Sequence, residues 1–122
     1  MHRLALNKQR LQGVEVIRLT GAIEPCSFGN LEAVLNKLIS DGCPYIILEC
    51  RDVAQFGTVE LKQLLNFAHH ARACGGDLKC VGLPQKVRQI ASLIANGDLM
   101  DCYDEIAVAL AAFQNPRVPA LA

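Results

Sequence analysis

Tyr45-Ile46-Ile47-Leu48-Glu49-Cys50-Arg51-Asp52-Val53-Ala54-Gln55-Phe56-Gly57-Thr58-Val59-Glu60-Leu61-Lys62-Gln63-Leu64-Leu65 reads as three elements in succession. Residues 45–48 are uniformly apolar, as in a strand with both faces covered by helices. Residues 50–57 read as a loop. From Thr58 onward Leu61, Leu64, Leu65, Ala68 and Ala71 recur at helical spacing. A helix start has unpaired N–H groups and the positive end of the helix dipole, so it welcomes an anion. Thr58 at that start reads first as a capping residue, whose hydroxyl satisfies an orphan N–H. The second reading is a phosphorylation site, where nearly two negative charges would appear beside Phe56 and Val59.

Outward from this stretch the chain alternates strands and helices. Residues 4–9 form a weak edge strand, Gly13 a turn, and 14–20 a β-branched strand ending at Gly21. Val14 and Val16 share one face, Ile17 and Leu19 the other. A loop over 21–27 follows, with Pro25 barring a helix and Ser27 offering a cap. Leu31, Val34, Leu35, Leu38 and Ile39 make a helical stripe that Gly42 stops. After the central stretch, Gly75-Gly76 ends the second helix and 78–83 is a strand. Pro84 fits the first turn of a third helix, with Val87, Ile90, Ala91 and Ile94 inward. Residues 99–102 suggest a short edge strand. Residues 104–113 form a last helix, with Ile106, Ala107, Leu110 and Phe113 inward. The order is β-β-α-β-α-β-α-β-α. It predicts an α/β fold: a mainly parallel mixed sheet with an N-terminal hairpin and about four helices. Residues 1–114 are expected to be one domain and 115–122 a tail. The loops over 23–27 and 50–57 both lie at carboxyl ends of strands, where such sheets bind ligands.

The composition narrows the function. Hydrophobic residues make up 52% with no Trp, so the core is aliphatic, and 122 residues bury one without staples. Twelve basic residues balance twelve acidic ones, which removes any long-range pull toward nucleic acid and permits weak homo-oligomers. No apolar run approaches the roughly 18 residues of a membrane span, and no leader is evident, so a cytoplasmic location is expected. The six cysteines show no Cys-x-x-Cys spacing and read mostly as small buried hydrophobes. No Gly-x-Gly loop or Gly-x-Ser-x-Gly elbow occurs. His69 and His70 are adjacent on a helix, about 100° apart, and cannot easily share a metal. No catalytic residue, metal or cofactor is nominated, and a non-enzyme is expected.

Three signatures in order resemble one family. Leu19-Thr20-Gly21-Ala22-Ile23-Glu24 is similar to a strand running into Gly-x-Leu-Asp. Leu48-Glu49-Cys50, a loop, and then Gly57-Thr58-Val59-Glu60-Leu61 is similar to Leu-Asp-Leu followed by Asp-Ser-Ser/Thr-Gly-Leu. Gly75-Gly76, then Val81-Gly82-Leu83-Pro84-Gln85-Lys86-Val87, is similar to a Gly-Gly before a strand and a proline-started helix. Together they resemble the STAS domain, the fold of bacterial anti-sigma-factor antagonists, over nearly the whole chain. The resemblance implies a partner-switching protein that binds an anti-sigma factor acting as a serine/threonine kinase. It implies Thr58 as the phospho-acceptor and Glu24, Gln55, Phe56, Gly57, Thr58, Val59, Glu60 and Gln63 as the binding surface. Two positions depart from the pattern: Gly57 replaces an acidic residue, and Glu60 replaces a glycine. A carboxylate at 60 favours the helix start but opposes a phosphate on Thr58. These departures favour the alternative, a non-phosphorylated adaptor subunit of a signalling or lipid-transport complex.

Overall fold

The computed structural model describes residues 3–95 and 100–114. The nine elements follow the expected order: β1 (Leu4–Leu11), β2 (Val14–Ile23), α1 (Phe28–Ser40), β3 (Tyr45–Phe56), α2 (Thr58–Ala73), β4 (Asp77–Val81), α3 (Gln85–Ile94), β5 (Asp101–Tyr103) and α4 (Ile106–Gln114). The strands lie in the spatial order β1-β2-β3-β4-β5. β1 and β2 form an antiparallel hairpin, closed by Gln12 and Gly13, both at positive φ, between the paired Leu11 and Val14. Two such residues make the tight turn whose twist suits a hairpin. Every other strand pair is parallel.

The alternation along β2 divides the core. Ile17 and Leu19 join Ile46, Leu48, Leu31, Leu35, Leu61, Leu64 and Ala91 in the larger cluster beneath α1, α2 and α3. Val14 and Val16 join Ile47, Val81, Ala109 and Leu110 beneath α4. The central strand is therefore apolar on both faces because helices cover both. α1 and α2 end alike. Cys43 N donates to Leu38 O at 2.8 Å beside Gly42 at φ 81°, and Gly76 N donates to Ala71 O at 2.8 Å beside Gly75 at φ 91°. Each glycine takes the left-handed conformation that closes a helix end.

Several boundaries differ from expectation. The stretch 50–57 is not a loop: β3 continues to Phe56, because β2 also runs on and pairs with it through Ile23↔Phe56. β4 stops at Val81, and Pro84 stands just before α3 rather than inside its first turn. On α4 Ala107 is exposed and Ala109 takes the inward position. Leu99, expected in the last strand, and the tail lie outside the described residues.

One buried cation faces α4. Lys79 Nζ donates to Asp77 at 2.9 Å and Asp101 at 3.0 Å and stands 4.8 Å from the centroid of the Phe113 ring. Burial alone lowers its pKa, but the two carboxylates more than offset this, so the net shift is upward. The stability this contributes is therefore complete below the usual lysine value of 10.5 and is lost as pH rises through the raised value. Lys79→Met removes the cation from Asp101, while Asp77 keeps Arg72 at 2.8 Å, and should cost about 2 kcal/mol at neutral pH by urea unfolding. The gap between the two proteins should narrow above pH 10.5.

A candidate docking site at the start of the second helix

The site is built where β2 and β3 end side by side. Past Phe56 the chain turns, and Gly57 N donates to Ile23 O at 2.7 Å. That bond fastens the start of α2 to the last residue of β2, where the next loop begins. The loop is organised by Ser27. Its Oγ donates to Ala22 O at 2.6 Å and accepts from Glu24 N at 3.1 Å. Ser27 does precede α1, but its hydroxyl makes no cap bond to the helix and ties the loop instead. Ser27 N and Phe28 N both donate to Glu24 O, at 3.0 and 2.9 Å. The loop and the helix start thus form one continuous face, in keeping with their positions at strand carboxyl ends.

Gly57, in extended conformation, is the cap residue of α2, and Thr58 is its first helical residue. Thr58 therefore does not cap the helix: no side chain caps it, and the Thr58 side chain is exposed. Leu61 N donates to Gly57 O at 2.9 Å, the first bond of the helix. Val59 is 65% exposed, a large apolar side chain with no role in the core. Gln55 is exposed, and Glu24, Phe56, Gly57 and Gln63 are half-buried around it. Glu60 is different. It is only 4% exposed, although it lies in the first turn of α2. Its carboxylate is folded back against Gly57, so that a Cβ added at position 57 would overlap Glu60 Oε1.

A cleft of about 270 Å³ between α1 and α2 extends this face. It is lined by Glu32, Gln63, Asn66, Phe67 and His70. Sequence reasoning nominates only Gln63 among them; the others sit off the apolar stripes, and only the packing of α1 on α2 brings them together. A larger cleft of about 500 Å³ lies by α3, lined by Leu83, Gln85, Arg88, Gln89, Ser92 and Asp104. Its Arg88 is committed to structure, donating to Asp104 at 2.8 Å and to Tyr103 O at 3.3 Å. The smaller cleft, continuous with Gln63 of the docking face, is the one relevant to that face.

The six cysteines are all free thiols, and fewer are buried than expected. Cys50 and Cys80 are buried, Cys43 and Cys102 half-buried, and Cys26 and Cys74 exposed. The Cys80 thiol is pushed well up by the neighbouring Cys50 thiol and by burial. Burial, with Cys80 nearby, pushes Cys102 up to about 12. Those two are thus held as thiols at neutral pH, the unreactive form. Among the described residues no three His, Cys, Asp or Glu side chains are grouped to hold a metal. No described helix is long and apolar enough to cross a membrane.

The fold has close structural likenesses. An anti-sigma factor antagonist from Mycobacterium paratuberculosis matches with a TM-score of 0.78 at 21% identity, over 91% of this chain and 94% of that one. The anti-sigma factor antagonist SpoIIAA in its unphosphorylated form matches at 0.73 and 14% identity, over 92% and 99%. The murine solute carrier family 26 member A9 anion transporter matches at 0.58 and 19% identity, over 87% of this chain and 18% of that one. At these identities the likeness establishes the fold. No match is found among curated proteins. The family model described as "Mlab, STAS domain" matches residues 6–101. With that match across most of its length, and with its five-stranded sheet and four helices, the chain belongs to the STAS domain family.

Proposed function

We propose that this STAS domain is a partner-switching signalling protein that binds an anti-sigma factor of the serine/threonine-kinase type. Its docking face comprises Glu24, Gln55, Phe56, Gly57, Thr58, Val59 and Gln63, with Glu60 beneath it. The observation that carries the reading is the exposed pair Thr58–Val59 on the rigidly fastened helix start. Val59 offers apolar contact, and the adjacent hydroxyl is accessible to a kinase. A phosphate there would place nearly two charges against that contact and release the partner. Catalysis, a cofactor and direct nucleic-acid binding have no part in the proposal.

A kinase assay tests it. The cognate anti-sigma kinase should transfer phosphate to the wild type and not to Thr58→Ala. Equal labelling of both removes Thr58 as the acceptor. No labelling of either leaves the second reading, a constitutive STAS adaptor of a signalling or lipid-transport complex. The buried Glu60 favours that second reading, because a negative charge already sits in the first turn. A captured partner without a kinase-type ATP site would support the adaptor.

A further inference from the structure

Gly57 and Glu60, the two departures from the family pattern, are in contact in the structure. The space that a side chain at 57 would enter is filled by Glu60 Oε1. Glu60 is 4% exposed and is the third residue of α2. The first-turn amides have no intrahelical acceptor, and the dipole there is positive. A carboxylate buried against Gly57 puts a negative charge at this positive helix end, although no side chain caps the first-turn amides.

We propose that Glu60 supplies the chain's own negative charge at the start of α2, and that any charge placed on Thr58 must act against it. Gly57 is the residue that makes this possible, since a side chain there would drive the carboxylate out. The pair together, more than Thr58 alone, sets how strongly the surface responds to a negative charge. Glu60 is on this account a positioning residue. This rests on reading the start of α2 as the regulated face, but its test needs no partner and can fail separately.

The test is a double-mutant cycle by urea unfolding, with Thr58→Glu as the charge. With Glu60 present, Thr58→Glu should raise the unfolding equilibrium constant about threefold. In Glu60→Gln the same change should lower it about threefold, because the helix dipole then favours the new charge unopposed. The coupling is thus about tenfold. Gly57→Ala supplies an independent background. Its Cβ displaces the carboxylate outward, and residues two apart on a helix do not face each other, so Thr58→Glu should change the constant less than twofold there. A purely structural role for Glu60 would lower stability without moving the coupling. Equal effects of Thr58→Glu in all three backgrounds would overturn the proposal. They would leave the docking reading intact, since that reading is decided by partner affinity. If Glu60→Gln does not fold, comparing Thr58→Glu in the wild-type and Gly57→Ala backgrounds decides the same question.

Discussion

Gly21→Ala is expected to cost about 3 kcal/mol of stability. Gly21 has φ 118°, a backbone conformation that an L side chain rarely adopts. The geometry also leaves no room: an added Cβ would overlap the carbonyl oxygen of Arg3, a backbone atom that cannot swing aside. That same oxygen accepts from Ala22 N at 3.0 Å, so moving it breaks a bond as well. The position matters for function because the pairing of β2 with β3 shifts register between Gly21 and Ala22. This shift carries Ile23 to Phe56 and so sets the docking face. Gly13→Ala is the control. It also has positive φ, 80°, but nothing lies within reach of its Cβ, so only conformational strain of about 1 kcal/mol is expected. Urea unfolding of both variants decides the matter. If Gly21→Ala loses no more than Gly13→Ala, the close approach of Arg3 is not a determinant of the fold.

Val59→Asp is expected to leave stability within about 0.5 kcal/mol of wild type and to weaken partner binding about a hundredfold. Val59 is exposed and supports nothing inside the chain, and for a carboxylate there the attraction of the helix dipole and the repulsion of Glu60 offset each other. A partner that buries this side chain would instead have to bury an unpaired charge. Leu93→Asp is the matched control. Leu93 is 84% exposed on α3, away from the docking face, and its replacement should leave affinity unchanged. Titration calorimetry with the cognate anti-sigma factor separates the two. Equal losses would mean that the partner contacts α3 as much as α2.

The architecture is legible in the residues because its signals are local. Alternation in 14–20, the apolar run of 45–48 and the stripes at Leu31–Leu35 and Leu61–Leu65 each specify an element without reference to the others. The length of β3 is not legible this way. Arg51, Asp52, Ala54 and Gln55 carry no strand pattern, and they are extended because β2 lies alongside them. The caps mislead for a related reason. Ser27 and Thr58 are good capping residues, but Ser27 satisfies the carbonyl of Ala22 at the end of β2 instead, and the cap position of α2 falls on Gly57. The docking face is legible as two segments at strand ends, and the Gly57 N to Ile23 O bond is what makes them one surface. The burial of Glu60 is not legible. A glutamate in a first turn normally faces water, and only the absence of a side chain at 57 gives it somewhere to fold.

The central claim is that the face formed by the loop after β2 and the start of α2 is where the partner sits. Amide hydrogen exchange on the free protein and on its complex with the cognate anti-sigma factor measures this directly. The amides of 23–28 and 56–63 are predicted to slow on binding, with those of α3 and α4 unchanged. Slowing confined to α3 or α4, with 56–63 exchanging as in the free protein, would contradict it.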